Sequence, residues 1–132
     1  MREIWIGVTL TATMALAGCV AEPSYTEFDR EPTAADHLQS EVVNSAGLQA
    51  DTVRYLAEWE DSTVFLAKSS LEQLEGRPCV VYFTTVQSWA STCMSKPPEA
   101  NLVTGDGTNI RLTFSAPEES GWTRLGEGVY VR

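Results

Sequence analysis

Bases are scarce in this chain. Its 132 residues hold two lysines, seven arginines and one histidine against 18 acids, a formal net charge of −9. A surface of that sign is repelled by phosphate backbones and anionic headgroups. Nucleic acid is therefore excluded as a partner. The lone His37 has no cysteine or acidic cluster at ligand spacing, so it is expected as a solvated helix residue with no metal and no catalytic role. GxSxG, HExxH, Walker A, CxxC and GxGxxG are all missing. The run Asp106-Gly107-Thr108-Asn109 has too few spaced acids for a calcium loop. The acidic pairs Glu60-Asp61 and Glu118-Glu119 fall in expected turns, where charge is ordinarily solvated. We expect no enzyme, no cofactor, no metal site and no catalytic residue.

Long apolar runs are also missing. Residues 4–17 carry no charge, yet a membrane-crossing helix needs about 20 apolar residues. A charged head (Arg2, Glu3), a short apolar stretch and small residues at its end describe a secretory signal peptide. The stretch closes on Leu16-Ala17-Gly18-Cys19. This quartet resembles the lipobox of bacterial lipoproteins. The resemblance covers residues 1–19 only. It implies that the Cys19 thiol receives a diacylglyceryl group and that cleavage before it makes Cys19 the first mature residue. Acylation, palmitate for example, would complete an anchor, since one lipid chain holds marginally and two hold stably. The implied place is the cell membrane, lipid-anchored, facing outside the cytoplasm. In layout the chain also resembles small uncharacterised lipoproteins of high-GC bacteria: lipobox, acidic tether, then a compact disulfide-bonded domain.

Removing residues 1–18 takes away only Arg2 and Glu3, so the charge stays at −9. With Cys19 lipidated, Cys79 and Cys93 remain, an even pair in an exported protein, the setting in which disulfides form. Residues 19–33 hold Pro23, Pro32 and several charges without apolar periodicity. They read as the lipidated cysteine and a flexible acidic tether, spanning on the order of 20 Å; docking of Tyr25 and Phe28 on the domain is the alternative. Residues 34–132 read as one domain.

Thr33-Ala34-Ala35-Asp36 has the capping-box pattern. Ala35, Leu38, Val42 and Ala46 follow at helical spacing and Gly47 is placed to end the run, which predicts a helix over 34–46. From Thr52 the period becomes two, with Val53, Tyr55, Ala57 and Trp59 on one strand face, and 63–68 returning after a turn. CVVYFTT (79–85) is the most β-prone segment, and WASTCM (89–94) follows it. If Cys79 faces Cys93, opposed residue numbers sum to 172, so Phe83 faces Trp89 and Tyr82 faces Ala90. Gly105-Asp106-Gly107 and Gly126-Glu127-Gly128 mark two more hairpins. The expected fold is α+β: one N-terminal helix packed on a mainly antiparallel sheet of six to seven strands. A small all-β barrel or sandwich is the alternative. Trp59, Trp89 and Trp122 are core residues or the lining of a ligand cleft.

The function that fits is an envelope-anchored, non-catalytic binding or structural domain with an envelope protein as partner. The alternative is a small inhibitor or modulator of an exported enzyme; an exposed apolar patch around Trp122 or Tyr130 would favour it. Replacing Cys19→Ser is expected to abolish the lipid mass and release the protein from the membrane fraction. Unchanged mass and retention would refute the lipobox reading.

Overall fold

The computed structural model describes residues 25–97 and 99–132. The expected signal peptide (1–18), the lipobox-like quartet with Cys19 and residues 20–24 lie outside the described residues. Among the described residues, no helix is long and apolar enough to cross a membrane.

Eight strands form two four-stranded antiparallel sheets. Sheet one has the order β1 (Arg54–Trp59), β2 (Ser62–Lys68), β3 (Pro78–Thr85), β4 (Ser88–Cys93). Sheet two has the order β5 (Glu99–Val103), β6 (Asn109–Thr113), β8 (Val129–Val131), β7 (Thr123–Gly126). One short helix, α1 (Ser40–Ala46), accompanies them. The expected single sheet under an N-terminal helix is thus corrected: the chain is mostly β, in two sheets. The strands were legible one by one. Their division into two sheets was not, because strand order says nothing about which ladders join. Lys96 and Pro97 follow β4, at the end of sheet one.

Sheet one is buried on both faces. Val64, Leu66, Val80 and Tyr82 point toward sheet two, where they meet Ile110, Leu112, Val129 and Val131. Phe65, Ala67, Cys79 and Val81 point the other way, against Leu38, Val42, Val43, Leu48 and Val53. Alternation along β2 and β3 produces both cores from one pair of strands. This is why the middle of the sequence reads as nearly continuous apolar runs.

The β3–β4 register is the one the sequence predicts. Cys79 faces Cys93, Tyr82 faces Ala90 and Phe83 faces Trp89. A one-residue shift between Phe83 and Thr85 then delivers the chain into a two-residue turn at Val86 and Gln87. That bulge explains how a turn without glycine or asparagine closes here. Cys79 and Cys93 form the disulfide. In the chain-entropy account a loop of this size contributes roughly 3 kcal/mol.

Two local expectations are corrected. The helix predicted over 34–46 is split. The Thr33–Asp36 capping box forms, but it heads only a 3-10 turn, Ala34–Asp36; His37 is then extended, and α1 starts at Ser40. Asp36 is the reason. Its carboxylate also accepts the Tyr55 N–H of edge strand β1 at 2.7 Å and both terminal nitrogens of Arg30 at 2.6 Å. This pins the turn to the sheet. Gly47 does end α1, in the left-handed conformation (φ 67°). The second correction concerns β1. Its register shifts between Tyr55 and Ala57, which leaves Leu56 as an extra residue. Tyr55 packs on the α1 side, whereas Leu56 and Trp59 pack between the sheets. The four residues expected on one face are therefore divided.

Tyr25 and Phe28 pack on the domain, while Arg30 to Thr33 are exposed. Tyr25 is 2% exposed in the core between the sheets, with Phe28 beside it. The Tyr25 hydroxyl donates to the carbonyls of Thr113 and Gly128. Burial, chiefly, pushes its phenol well above the ordinary range. A Cβ at Gly128 would collide with the Tyr25 ring and the Thr113 carbonyl, so glycine is required there.

Arg30 holds the Asp36 carboxyl well below the usual carboxylate range, with help from the N–H groups of Thr33 and Tyr55. A carboxylate depressed by folding contributes stability above its unfolded pKa of about 3.9, and loses it as pH falls through the folded value. Asp36→Asn is expected to cost about 2 kcal/mol at pH 7. The gap between variant and parent should narrow below about pH 4. Urea denaturation at both pH values checks this; a gap that does not change with pH would show that the charge is immaterial.

Candidate functional site

Among the described residues, sheet one is covered on both sides and sheet two presents a wide outer face. Its register builds that face row by row. Asn101 pairs with Arg111, Arg111 with Tyr130, and Tyr130 with Arg124. Directly opposed residues share a face, so these four form a row across all four strands. In the next row Val103 pairs with Asn109. Asn109 and Arg132 exchange backbone hydrogen bonds, and Trp122 sits against Arg132. The inward-facing partners Ile110, Leu112, Val129 and Val131 are fully buried. The two outward rows hold three arginines, one tryptophan, one tyrosine and no acid. One acid, Glu99, shares this face in the adjoining row opposite Thr113, so the bases outnumber the acids here in a chain with twice as many acids as bases.

The face is organised around Trp122. The guanidinium carbon of Arg111 lies 4.7 Å from the Trp122 ring centroid, and that of Arg132 lies 4.5 Å away. Two cations share one indole, each contact worth about 0.5–1 kcal/mol at an exposed site. Asn101 fixes Arg111 from the neighbouring strand by accepting its Nε–H at 2.9 Å. Arg124 donates its Nε–H to the Gly126 carbonyl at 2.9 Å. One carboxylate reaches the face from outside the rows: Glu119, on the loop before β7, accepts from Arg111 at 3.4 Å. Its own backbone N–H holds the Glu119 carboxyl below its ordinary value, with Arg111 and Arg132 adding to the effect. Beside this pair lies an open groove of about 510 Å³, lined by Glu99, Arg111, Pro117 and Glu119 among others.

A second groove, about 640 Å³, lies at the turn end of the domain between Trp59, Tyr82, Asp106 and Arg132. Asp106 accepts from the Thr104 hydroxyl, the Thr108 N–H and the Tyr82 phenol at 2.9 Å. The Thr104 hydroxyl first, then these others, hold its carboxyl well below the usual range. An acid so engaged shapes the β5–β6 turn and is poorly suited to donate a proton. Among the described residues, no group of three or more His, Cys, Asp or Glu is placed to hold a metal ion.

The sequence-predicted residues are scattered. Cys19 lies outside the described residues. Cys79 and Cys93 are bonded on the α1 side of sheet one. His37 is exposed. The three tryptophans do not converge: Trp59 packs between the sheets, Trp89 packs on the α1 side, and Trp122 lies on the outer face of sheet two. Around Trp122 and Tyr130 the surface is cationic and aromatic, and Val103, 68% exposed, is its one exposed large apolar side chain. The apolar patch that would favour an inhibitor is therefore not what this face offers. Reading the sequence missed the face because Arg111, Arg124 and Arg132 belong to separate strand segments whose adjacency depends on the β6–β8–β7 order. The available signal was the alternation of Ile110 and Leu112 with Arg111, combined with the Gly126-Glu127-Gly128 turn. No protein-family model, curated protein or solved structure matches this chain.

These side chains decorate the fold and do not hold it together. Trp122→Ala is expected to cost about 1–2 kcal/mol, from two lost cation–π contacts and partial burial. Tyr25→Ala should cost about 3–5 kcal/mol. Chemical denaturation of both variants tests the contrast; equal losses would make Trp122 a core residue.

Proposed function

We propose that the chain is an envelope-anchored lipoprotein, held at the membrane by lipid on Cys19, whose domain binds an envelope protein and performs no chemistry of its own. The lipobox pattern supports the anchor. The arginine–tryptophan–tyrosine rows on the outer face of sheet two, bordered by Glu99 on β5 and by Glu119 on Arg111, carry the binding reading. Tryptophan, tyrosine and arginine are the residues that most often dominate interface energetics. Here they stand together on a flat four-stranded surface, in a chain whose charge is otherwise negative.

Crosslinking of the native lipoprotein in intact cells, followed by mass spectrometry, tests this reading. The expected result is one envelope protein recovered in near-stoichiometric yield. A structural envelope component would mark a supporting role, and an exported enzyme would mark the inhibitor or modulator alternative. Failure to recover any reproducible partner would overturn the binding function.

A further inference from the structure

Resting on that binding reading, the geometry points to a partner of particular chemistry: we infer that the outer face of sheet two docks a protein segment bearing aspartate or glutamate side chains, which takes over the place of Glu119 on Arg111. Three observations lead there. The first is charge complementarity. Arg111, Arg124 and Arg132 stand on two strand rows without an acid, on a chain of net charge −9. An acidic segment is attracted to these rows and repelled by the net negative charge of the rest of the chain, which favours this face. The second is the type of base. All three cations are arginine, whose planar fork matches a carboxylate with two parallel hydrogen bonds. Trp122 holds two of them in place, which lowers the entropy lost on binding. The third is Glu119. This carboxylate already reaches Arg111 from a loop, at 3.4 Å and with its side chain 57% exposed. It is a loose intramolecular occupant of the site that the partner's carboxylate would fill.

A bilayer fits less well. Trp122 and Tyr130 are half-buried in the sheet and Val103 alone is widely exposed, so little apolar surface stands out to enter lipid. Three arginines contribute roughly 1 kcal/mol each at an anionic surface, opposed by the net negative charge of the rest of the domain.

The test uses the full-length lipoprotein in its own membranes. A photo-crosslinking residue is placed at Val103, on the face, and separately at Leu71, which is exposed over Gly47 at the end of α1. The crosslinked peptides are then mapped by mass spectrometry. From Val103 we expect a crosslink to one protein, within a segment rich in Asp or Glu. Arg132→Glu should reduce its yield about tenfold. Arg124→Glu, at an exposed position, should do the same independently, guarding against a folding defect in the first variant. Glu119→Gln should raise the yield several-fold by clearing Arg111, a gain that a merely structural role for Glu119 would not produce. A protein crosslink from Val103 that ignores all three substitutions would overturn the acidic partner while leaving a binding domain. A protein crosslink from Leu71 alone would move the binding surface to the α1 side and overturn this face. Crosslinking of Val103 to lipid alone would replace the protein partner by the membrane. No protein crosslink from either position would sink the inference and the binding function together.

Discussion

Burial of sheet one on both faces is the constraint from which the rest of the molecule follows. β2 and β3 are apolar on alternate residues in both directions, so neither side of that sheet can meet water without exposing a row of valine, leucine or phenylalanine. One side requires a second sheet. The other requires α1 and the segments around it. Once these are in place, sheet two has an inner face committed to Val64, Leu66, Val80 and Tyr82, and an outer face committed to nothing. The candidate interaction surface is thus the surface left over after the core is satisfied. Its arginines and Trp122 occupy positions where the fold asks only for a β-compatible side chain.

The same constraint explains what could be read in advance. The β3–β4 hairpin was legible down to its register, because a cysteine pair and strict alternation leave one pairing that puts Phe83 opposite Trp89. The reach of the helix was not legible. Asp36 forms the cap that the sequence advertises, and it also binds Arg30 and the Tyr55 N–H; those long-range bonds hold the chain against β1, where a helix would have carried it away. The faces of β1 were misread for a similar reason. A bulge at Leu56 moves every later side chain to the other face, and nothing in the local pattern marks it. The arginine face needed the β6–β8–β7 order, which brings residues 111, 130 and 124 into one row. Local periodicity placed each of them on a strand without saying which strands are neighbours.

Charge segregation gives the domain a direction. With three of the nine bases on the outer face of sheet two and a net charge of −9 on the chain, the domain carries an uneven field that orients an approaching partner before contact. Such steering weakens as salt shortens the screening length, which is about 10 Å at 0.1 M. The Trp122 stack adds a contribution that is less sensitive to salt, because part of it comes from dispersion and buried area. An interface built this way would form quickly by electrostatics and persist by packing, with the two properties assignable to different side chains on the same two rows.

On the proposed lipid anchor at Cys19, Tyr25 would link this surface to the membrane. Its ring closes the core at the Gly128 and Thr113 end of sheet two, and it lies only six residues after Cys19. A fully extended stretch of that length reaches at most about 20 Å. On the lipid-anchored reading, Tyr25 therefore starts within that distance of the lipid, at the opposite end of β6 from the Asp106 turn. A tether that stayed free through residue 33 would have let the domain tumble and present every face equally. Docking of Tyr25 shortens that free stretch, and it does so with a residue buried in the core between the sheets.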